Sequence, residues 1–152
     1  MVRLTDLADY EAKHLLDKPC PKLQPQAWVV PPTLSEARVA LITTAGIHNR
    51  ESREFELADS SYRVIAEDAT DLLMTHASVN FDRSGFQEDI NVVFPLDRLR
   101  ELADGGQIGS VAEYHYSFMG AGLEPHAYEQ SANDVAALLK RDAVDLVLLT
   151  PV

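Results

Sequence analysis

Uninterrupted apolar runs at 39–42 and 146–149 dominate the hydrophobic pattern of this chain. Such runs are typical of strands that are buried on both faces of a parallel sheet. Shorter apolar segments at 62–65 and 72–75 predict two further strands. The pattern therefore predicts at least four strands, two of which are buried on both faces.

A further strand is predicted at 112–118, where apolar and polar residues alternate. His115 belongs to the polar side of this strand, between Tyr114 and Tyr116. We therefore expect the His115 ring to face outward.

Helices are predicted where apolar residues recur at helical spacing, at 1–16, after Pro95 and after Pro125. Proline suits the first position of a helix because it lacks the N–H group that would be unpaired there. The polar stretches at 43–61 and 76–91 are expected to be long loops.

Strands that alternate with helices predict an α/β fold with a mostly parallel, Rossmann-like layered sheet in a single domain at 38–152. Residues 1–37 contain five of the eight prolines, and these exclude regular helix or central strand between Lys18 and Thr33. We expect 1–37 to form an N-terminal helix followed by a proline-rich extended arm.

Composition limits the partners of the chain. The hydrophobic share of 46% and the charged share of 24% are ordinary globular values. No apolar run approaches the roughly 18 residues of a membrane span. A net charge of −11, with no cluster of basic residues, argues against binding to nucleic acid. With one cysteine and no secretory signal, we expect a cytoplasmic protein that binds neither nucleic acid nor membrane.

Polar or small residues follow the predicted strands, and ligands of open α/β sheets bind beyond the carboxyl ends of the strands. We expect the loops after Thr43 and Thr75 and the turn at Gly120 to line one cavity, with Val152 at its edge. The residues predicted to bind a small polar substrate are Thr44, His76, Asn80, Asp82, Asp89 and His115. The two aspartates would hold a substrate ammonium group, although a solvated loop position is an equally good interpretation of each.

Five histidines raise the alternative of a metal site. Ligands from His48, His76 and His115 could meet Asp82 or Asp89 at the strand ends. No HxH or HxxxH pair is present, so we expect no bound metal. A metal-dependent hydrolase is therefore the third option for the function.

Several segments together resemble one family of reductases. They occur in the following order: TTAG at 43–46, THASVNFD at 75–82, EDINVVFPLDRLREL at 88–102, IGSVAEYHYSFMG at 108–120 and DLVLLTPV at 145–152. They are similar to the selenoprotein B subunits of the glycine, sarcosine, betaine and D-proline reductases. The blocks NVVFPLDRLREL and HYSFMG are the specific ones.

The resemblance implies reductive cleavage of a carbon–nitrogen bond in an amino acid or a betaine-like substrate. In that family a selenocysteine attacks a carbon that is activated by a partner subunit with a pyruvoyl group, and a thiol or selenol redox partner supplies electrons. The selenocysteine, or a cysteine in its place, follows the strand that is VLLTPV here. We therefore expect no catalytic residue within this chain, one directly after Val152, and no activity of the chain alone.

The selenocysteine codon is UGA, which ordinary translation reads as a stop. We therefore expect that reading was halted after Val152, and a natural short protein is the competing account. The alternative function is a non-catalytic module that binds a small molecule or assembles with a partner. A fold that is cut after a core strand should expose apolar surface, so a homo-oligomer is a further expectation.

Overall fold

The computed structural model describes residues 3–17, 29–77 and 84–152 and has a mixed α/β architecture. The strands of those residues are β1 (Arg38–Thr43), β2 (Ile47–Asn49), β3 (Tyr62–Ala66), β4 (Leu72–Met74), β5 (Ser110–Val111), β6 (Tyr114–Phe118) and β7 (Leu146–Thr150). The α-helices are α1 (Asp9–Leu16), α2 (Ser84–Glu88), α3 (Leu96–Asp104) and α4 (Glu129–Arg141). The α/β class and the mostly parallel sheet are confirmed, whereas a Rossmann-like arrangement is not.

The main sheet is built around β1, whose apolar run is almost fully buried. β7 pairs with β1 in parallel along one side, from Val39 opposite Leu146 to Thr43 opposite Thr150. β5 and β6 pair with the other side of β1, also in parallel. β3 pairs antiparallel with β6 and ends the sheet on that side. The order across the sheet is therefore β3, β6 together with β5, β1 and β7.

The two faces of this sheet bury alternate side chains, as the pleat of a strand requires. Face A packs against α3 and the turn that precedes it, through a cluster that includes Val39, Leu41, Ile65, Phe94 and Leu99. Face B packs against α4 through a second cluster that includes Ile42, Tyr116, Phe118, Val135 and Leu139. Helices on both faces explain why β1 reads as a continuous apolar run rather than an alternating one.

The two predicted loops contain regular structure. β2 lies within 43–61, and it pairs antiparallel with β4 in a separate two-stranded sheet. The predicted strand at 72–75 is thus confirmed as β4, but it is not part of the main sheet. The stretch at 76–91 includes α2, and a 3-10 turn at Ile90–Val92 follows it. Ile47 of β2 and Leu72 of β4 belong to the cluster on face A, so this small sheet helps to cover that face.

β7 departs from the prediction of a strand buried on both faces. Leu148 is 39% exposed and Leu149 is 66% exposed. The reason is the position of β7, since β1 is its single strand partner among the described residues. Its apolar side chains on face B are covered only in part by α4.

The N-terminal segment is less regular than predicted. A 3-10 turn at Leu4–Asp6 precedes α1, and the apolar side chains Leu15 and Leu16 at the end of α1 are exposed. The prolines at 19, 21 and 25 lie outside the described residues, so the division at 1–37 and 38–152 stays a prediction. None of the described helices is long and apolar enough to cross a membrane.

Candidate functional site

Three parallel strands end side by side at one edge of the main sheet. Thr43 at the end of β1 pairs with Ser117 near the end of β6 and with Thr150 at the end of β7. After β1 the chain turns to face A, where Ile47 is buried. After β6 it turns to face B, where Leu123 lies beside α4. Ligand crevices of open α/β sheets form where neighbouring strands send their connections to opposite faces, and β1 and β6 meet this condition.

Two glycines bring the loops of this edge into contact. Gly120, with φ +72°, lies so close to β1 that an added Cβ would be 2.5 Å from Thr44 Cβ. Gly46, with φ +68°, lies against the chain after β4, where an added Cβ would be 3.2 Å from the Thr75 carbonyl oxygen and 3.3 Å from the His76 nitrogen. Glycine is required at both positions because other residues rarely adopt a positive φ. The predicted proximity of these three loops is therefore observed.

Val152 lies at this edge, beside the end of β1. Its N–H donates to Thr44 Oγ1 at 2.8 Å, and the same hydroxyl donates to the Val152 carbonyl oxygen at 3.4 Å. The Val152 side chain packs against the cluster on face A. The last residue is thus held by side-chain and backbone contacts over the point where β1 and β6 diverge.

Two threonine hydroxyls at the strand ends join this edge to the turn before α3. Thr43 Oγ1 and Thr150 Oγ1 both donate to the carbonyl oxygen of Val93, at 2.9 and 3.0 Å. Thr43 Oγ1 also accepts from the N–H of Ala45 at 3.1 Å. The sequence analysis overlooked this role, although a threonine ends both apolar runs.

His115 is fully buried, so the prediction that it faces outward is wrong. Val39 pairs with Val111 but Ile42 pairs with Tyr116, so two extra residues lie in the strand opposite β1. The N–H of Leu41 therefore donates to His115 Nδ1, at 3.0 Å, instead of to a neighbouring carbonyl. Because face A is covered by α3 and the turn before it, the polar side of β6 is enclosed rather than solvated.

The environment of His115 keeps its ring neutral. Burial is the main cause that lowers its pKa from 6.5 to about 4. Nδ1 accepts a hydrogen bond, so the proton of the neutral ring is on Nε2, which has no hydrogen-bond partner among the described residues. A neutral ring in the middle of β6 cannot supply positive charge to an anion at the edge of the sheet.

The other predicted ligands are divided between three regions. His76 is buried beside Gly46, at the candidate edge. Asp89 lies before α3, where its carboxylate accepts from the N–H and the side-chain amide of Asn91, both at 2.9 Å, and these bonds lower its pKa. Asn80 and Asp82 lie outside the described residues. Thr44 and His76 are therefore the two predicted residues that the structure brings to one place.

Metal binding gains no support from the described residues. No group of three or more histidine, cysteine or acidic side chains that could hold a metal ion occurs in 3–17, 29–77 and 84–152. His48 is buried in β2, and its Nδ1 lies 2.8 Å from the carbonyl oxygen of Asn49.

An apolar groove of about 660 Å³ opens on face B beside α4. Its walls come from β1, β6, β7 and α4, and they comprise Ile42, Thr44, Phe118, Gly120, Leu123, Pro125, Tyr128, Ala132, Val135, Ala136, Leu139, Val147 and Leu149. Thr44 and Gly120 thus share one cavity as predicted, whereas His76 and Val152 do not line it. The groove has few polar groups and is suited to apolar contacts.

Comparison with known proteins agrees with the sequence resemblance. Residues 9–152 match the model of the family described as glycine/sarcosine/betaine reductase selenoprotein B. The D-proline reductase subunit gamma of Acetoanaerobium sticklandii is 38% identical over 135 residues, which are 86% of this chain and 55% of that protein.

Two further relatives are named as components of reductase complexes. The betaine reductase complex component B subunit beta of Peptoclostridium acidaminophilum is 33% identical over 77% of this chain and 28% of its own length. The glycine reductase complex component B subunit gamma of Symbiobacterium thermophilum is 33% identical over 77% of this chain and 29% of its own length. This chain thus spans about half of the first relative and under a third of the other two.

No solved structure matches the chain significantly. The assignment consequently depends on the sequence, and it is strong because the match to the family covers almost every described residue. The chain belongs to the glycine/sarcosine/betaine reductase selenoprotein B family.

Proposed function

We propose that this chain forms the N-terminal part of a selenoprotein-B-type reductase subunit. The reaction would be the reductive cleavage of a carbon–nitrogen bond in an amino acid or a betaine-like substrate. A selenocysteine or cysteine directly after Val152 would supply the nucleophile, and thiols would supply the two electrons. The pyruvoyl group would belong to a partner subunit.

The observation that carries this proposal is the position of Val152. Thr44 holds both the N–H and the carbonyl of Val152 at the carboxyl edge of the sheet, next to Gly120. A residue that follows Val152 would start from this edge, where α/β folds bind their ligands. Family membership supports the same interpretation, because the relatives are named as subunits of amino-acid and betaine reductases.

The described residues would contribute position rather than chemistry. Thr44 would hold the backbone before the nucleophile, and His76 beside Gly46 would be near enough to contact a substrate. Asp89 and His115 are already engaged in contacts within the fold, so we assign them no substrate contact. Roles for Asn80 and Asp82 stay predictions.

The test uses the protein that its source organism makes, purified together with its partner subunits. We expect thiol-dependent release of an amine or ammonia from at least one of glycine, sarcosine, betaine and D-proline. The chain that ends at Val152 should release none under the same conditions. Full turnover after replacement of the residue that follows Val152 by serine would contradict the proposal.

A second candidate is a non-catalytic module that binds a ligand or a partner. The groove on face B favours this option, because it is about 660 Å³ in volume and nearly free of polar groups. A small polar amino acid does not suit such a groove, so the groove is better explained as a surface for another protein segment.

A further inference from the structure

The groove leaves a strip of the sheet uncovered beside α4. Val147 and Leu149 of β7 line its floor, and Ala132, Ala136 and Leu139 of α4 line its wall. Leu149 is 66% exposed. Parallel sheets are normally covered on both faces by helices, so an apolar strip of this kind is the position of a missing helix rather than a solvated surface.

The path of the chain indicates which helix would lie there. From β6 the chain passes through α4 on face B and returns as β7, which lies beyond β1 and parallel to both strands. Such crossover connections are right-handed in nearly all proteins. If a further parallel strand were added outside β7, a crossover of the same hand would have to run on face B. The next helix would then lie beside α4, over Val147 and Leu149.

We propose that the groove is the seat of an amphipathic helix from the polypeptide that follows Val152 in a longer form of the protein. A further parallel strand would then pair with the outer edge of β7. This inference rests on the proposed function, in which the polypeptide continues beyond Val152. The D-proline reductase subunit has room for these elements, because this chain corresponds to 55% of its length.

Three features of the groove fit a helix of the same polypeptide. Val152 is held beside Thr44, which lines the groove, so a continuing chain would start at its rim. Ala132 and Ala136 are one helical turn apart, and their small side chains allow another helix to approach α4 closely. A second copy of the chain is disfavoured, because each copy has a net charge of −11.

A matched pair of substitutions on α4 tests this inference. Ala136 lines the groove, whereas its neighbour Ala137 does not, and both are exposed in this chain. A136R and A137R would be compared in the 152-residue chain and in the chain extended through the downstream codons of its gene. Arginine is a good helix former, so neither substitution should change the melting temperature of the short chain by more than about 2 °C.

In the extended protein, A136R should lower the melting temperature by about 5 °C or more, because it would place a charge in an apolar helix contact. A137R should leave the extended protein unchanged. Equal effects of the two substitutions in the extended protein would overturn the inference. A dimer of the short chain that A136R dissociates, measured by light scattering, would identify a second copy as the occupant and would also overturn it. A gene without downstream coding sequence would do the same.

The outcome is separable from that of the proposed function. An extended protein with a selenocysteine or cysteine after Val152 but equal effects of A136R and A137R would contradict the helix alone. A selective effect of A136R in an extended protein without such a residue would contradict the redox function and leave the helix in place.

Discussion

At the scale of single residues, the polar side chains buried on face A complete backbone hydrogen bonds. His115 accepts from the N–H of Leu41, and Ser117 accepts from the N–H of Ile47 at 2.8 Å. Both N–H groups lie where regular strand pairing is interrupted, and a buried N–H without a partner is costly. Polar residues near strand ends therefore resemble a binding site in the sequence although their first role is structural.

The depressed pKa of His115 predicts a loss of stability in mild acid. Its pKa is about 4 in the folded protein and 6.5 when unperturbed, so the unfolded chain binds the proton more tightly between these values. The contribution of His115 is fully present above about pH 6.5 and is lost as the pH falls towards 4, by up to roughly 3 kcal/mol. Urea unfolding at several pH values between 7 and 4 measures this loss.

The control for this prediction is a pair of glutamine variants. H115Q retains an acceptor for the N–H of Leu41 but does not titrate, so its stability should depend less on pH in this range than that of the original protein. H14Q changes an exposed histidine on α1 and should keep the original pH dependence. Identical pH profiles for H115Q and the original protein would show that His115 does not have the assigned pKa.

Gly120 predicts a large effect of one added methyl group. G120A combines a positive φ with a Cβ only 2.5 Å from Thr44 Cβ, so we expect a loss of about 2–4 kcal/mol in unfolding free energy. G106A is the matched control, because Gly106 also has φ +68° but no atom within 4 Å of the added Cβ. It should cost only about 1 kcal/mol. Equal losses in urea unfolding would mean that the contact of Gly120 with β1 is not tight.

At the scale of elements, hydrophobic pattern predicted the parts of the chain that bury continuous apolar surface. The strands β1, β3, β4 and β7 and the helices α3 and α4 lie where the sequence indicates them. β2 was missed because it has three residues and contains a buried histidine, His48. The antiparallel pairing of β3 and the separate sheet of β4 depend on contacts distant in sequence, which local periodicity does not encode.

The candidate site was predictable only where backbone geometry determines it. Thr44, His76 and Gly120 follow strands or turns whose ends meet, so their proximity follows from the topology of an α/β fold. His115 was misplaced because alternation indicates two sides of a strand but not which side is solvated. The answer depended on α3 and the turn around Phe94, which cover the polar side.

The two threonines that bind Val93 link the strand ends to α3 and should act together. In T43V or T150V the carbonyl oxygen of Val93 keeps one donor, so each single variant should lose about 1 kcal/mol of unfolding free energy. The double variant leaves this carbonyl without either hydroxyl. We expect its loss to exceed the sum of the single losses by about 1 kcal/mol. Additive losses in a double-mutant cycle would show that the two hydroxyls do not share one acceptor.

At the scale of the whole molecule, the sheet presents one edge where three strand ends, two glycine turns and Val152 meet. The family match gives this edge its chemical interpretation, and the groove beside α4 indicates how a longer polypeptide would continue. The net charge of −11 is compatible with a subunit that pairs with other proteins, as the names of its relatives suggest. The central claim is that a redox residue follows Val152 at this edge.

Peptide mass spectrometry of the protein made by its source organism tests this claim most directly. The protein would be alkylated with iodoacetamide before digestion, and the peptide that contains VLLTPV would be sequenced. We predict that Val152 is followed by an alkylated selenocysteine or cysteine, because Thr44 holds Val152 where a nucleophile would meet the ligand crevice. A peptide that ends at Val152, or one in which another residue follows it, would contradict the account.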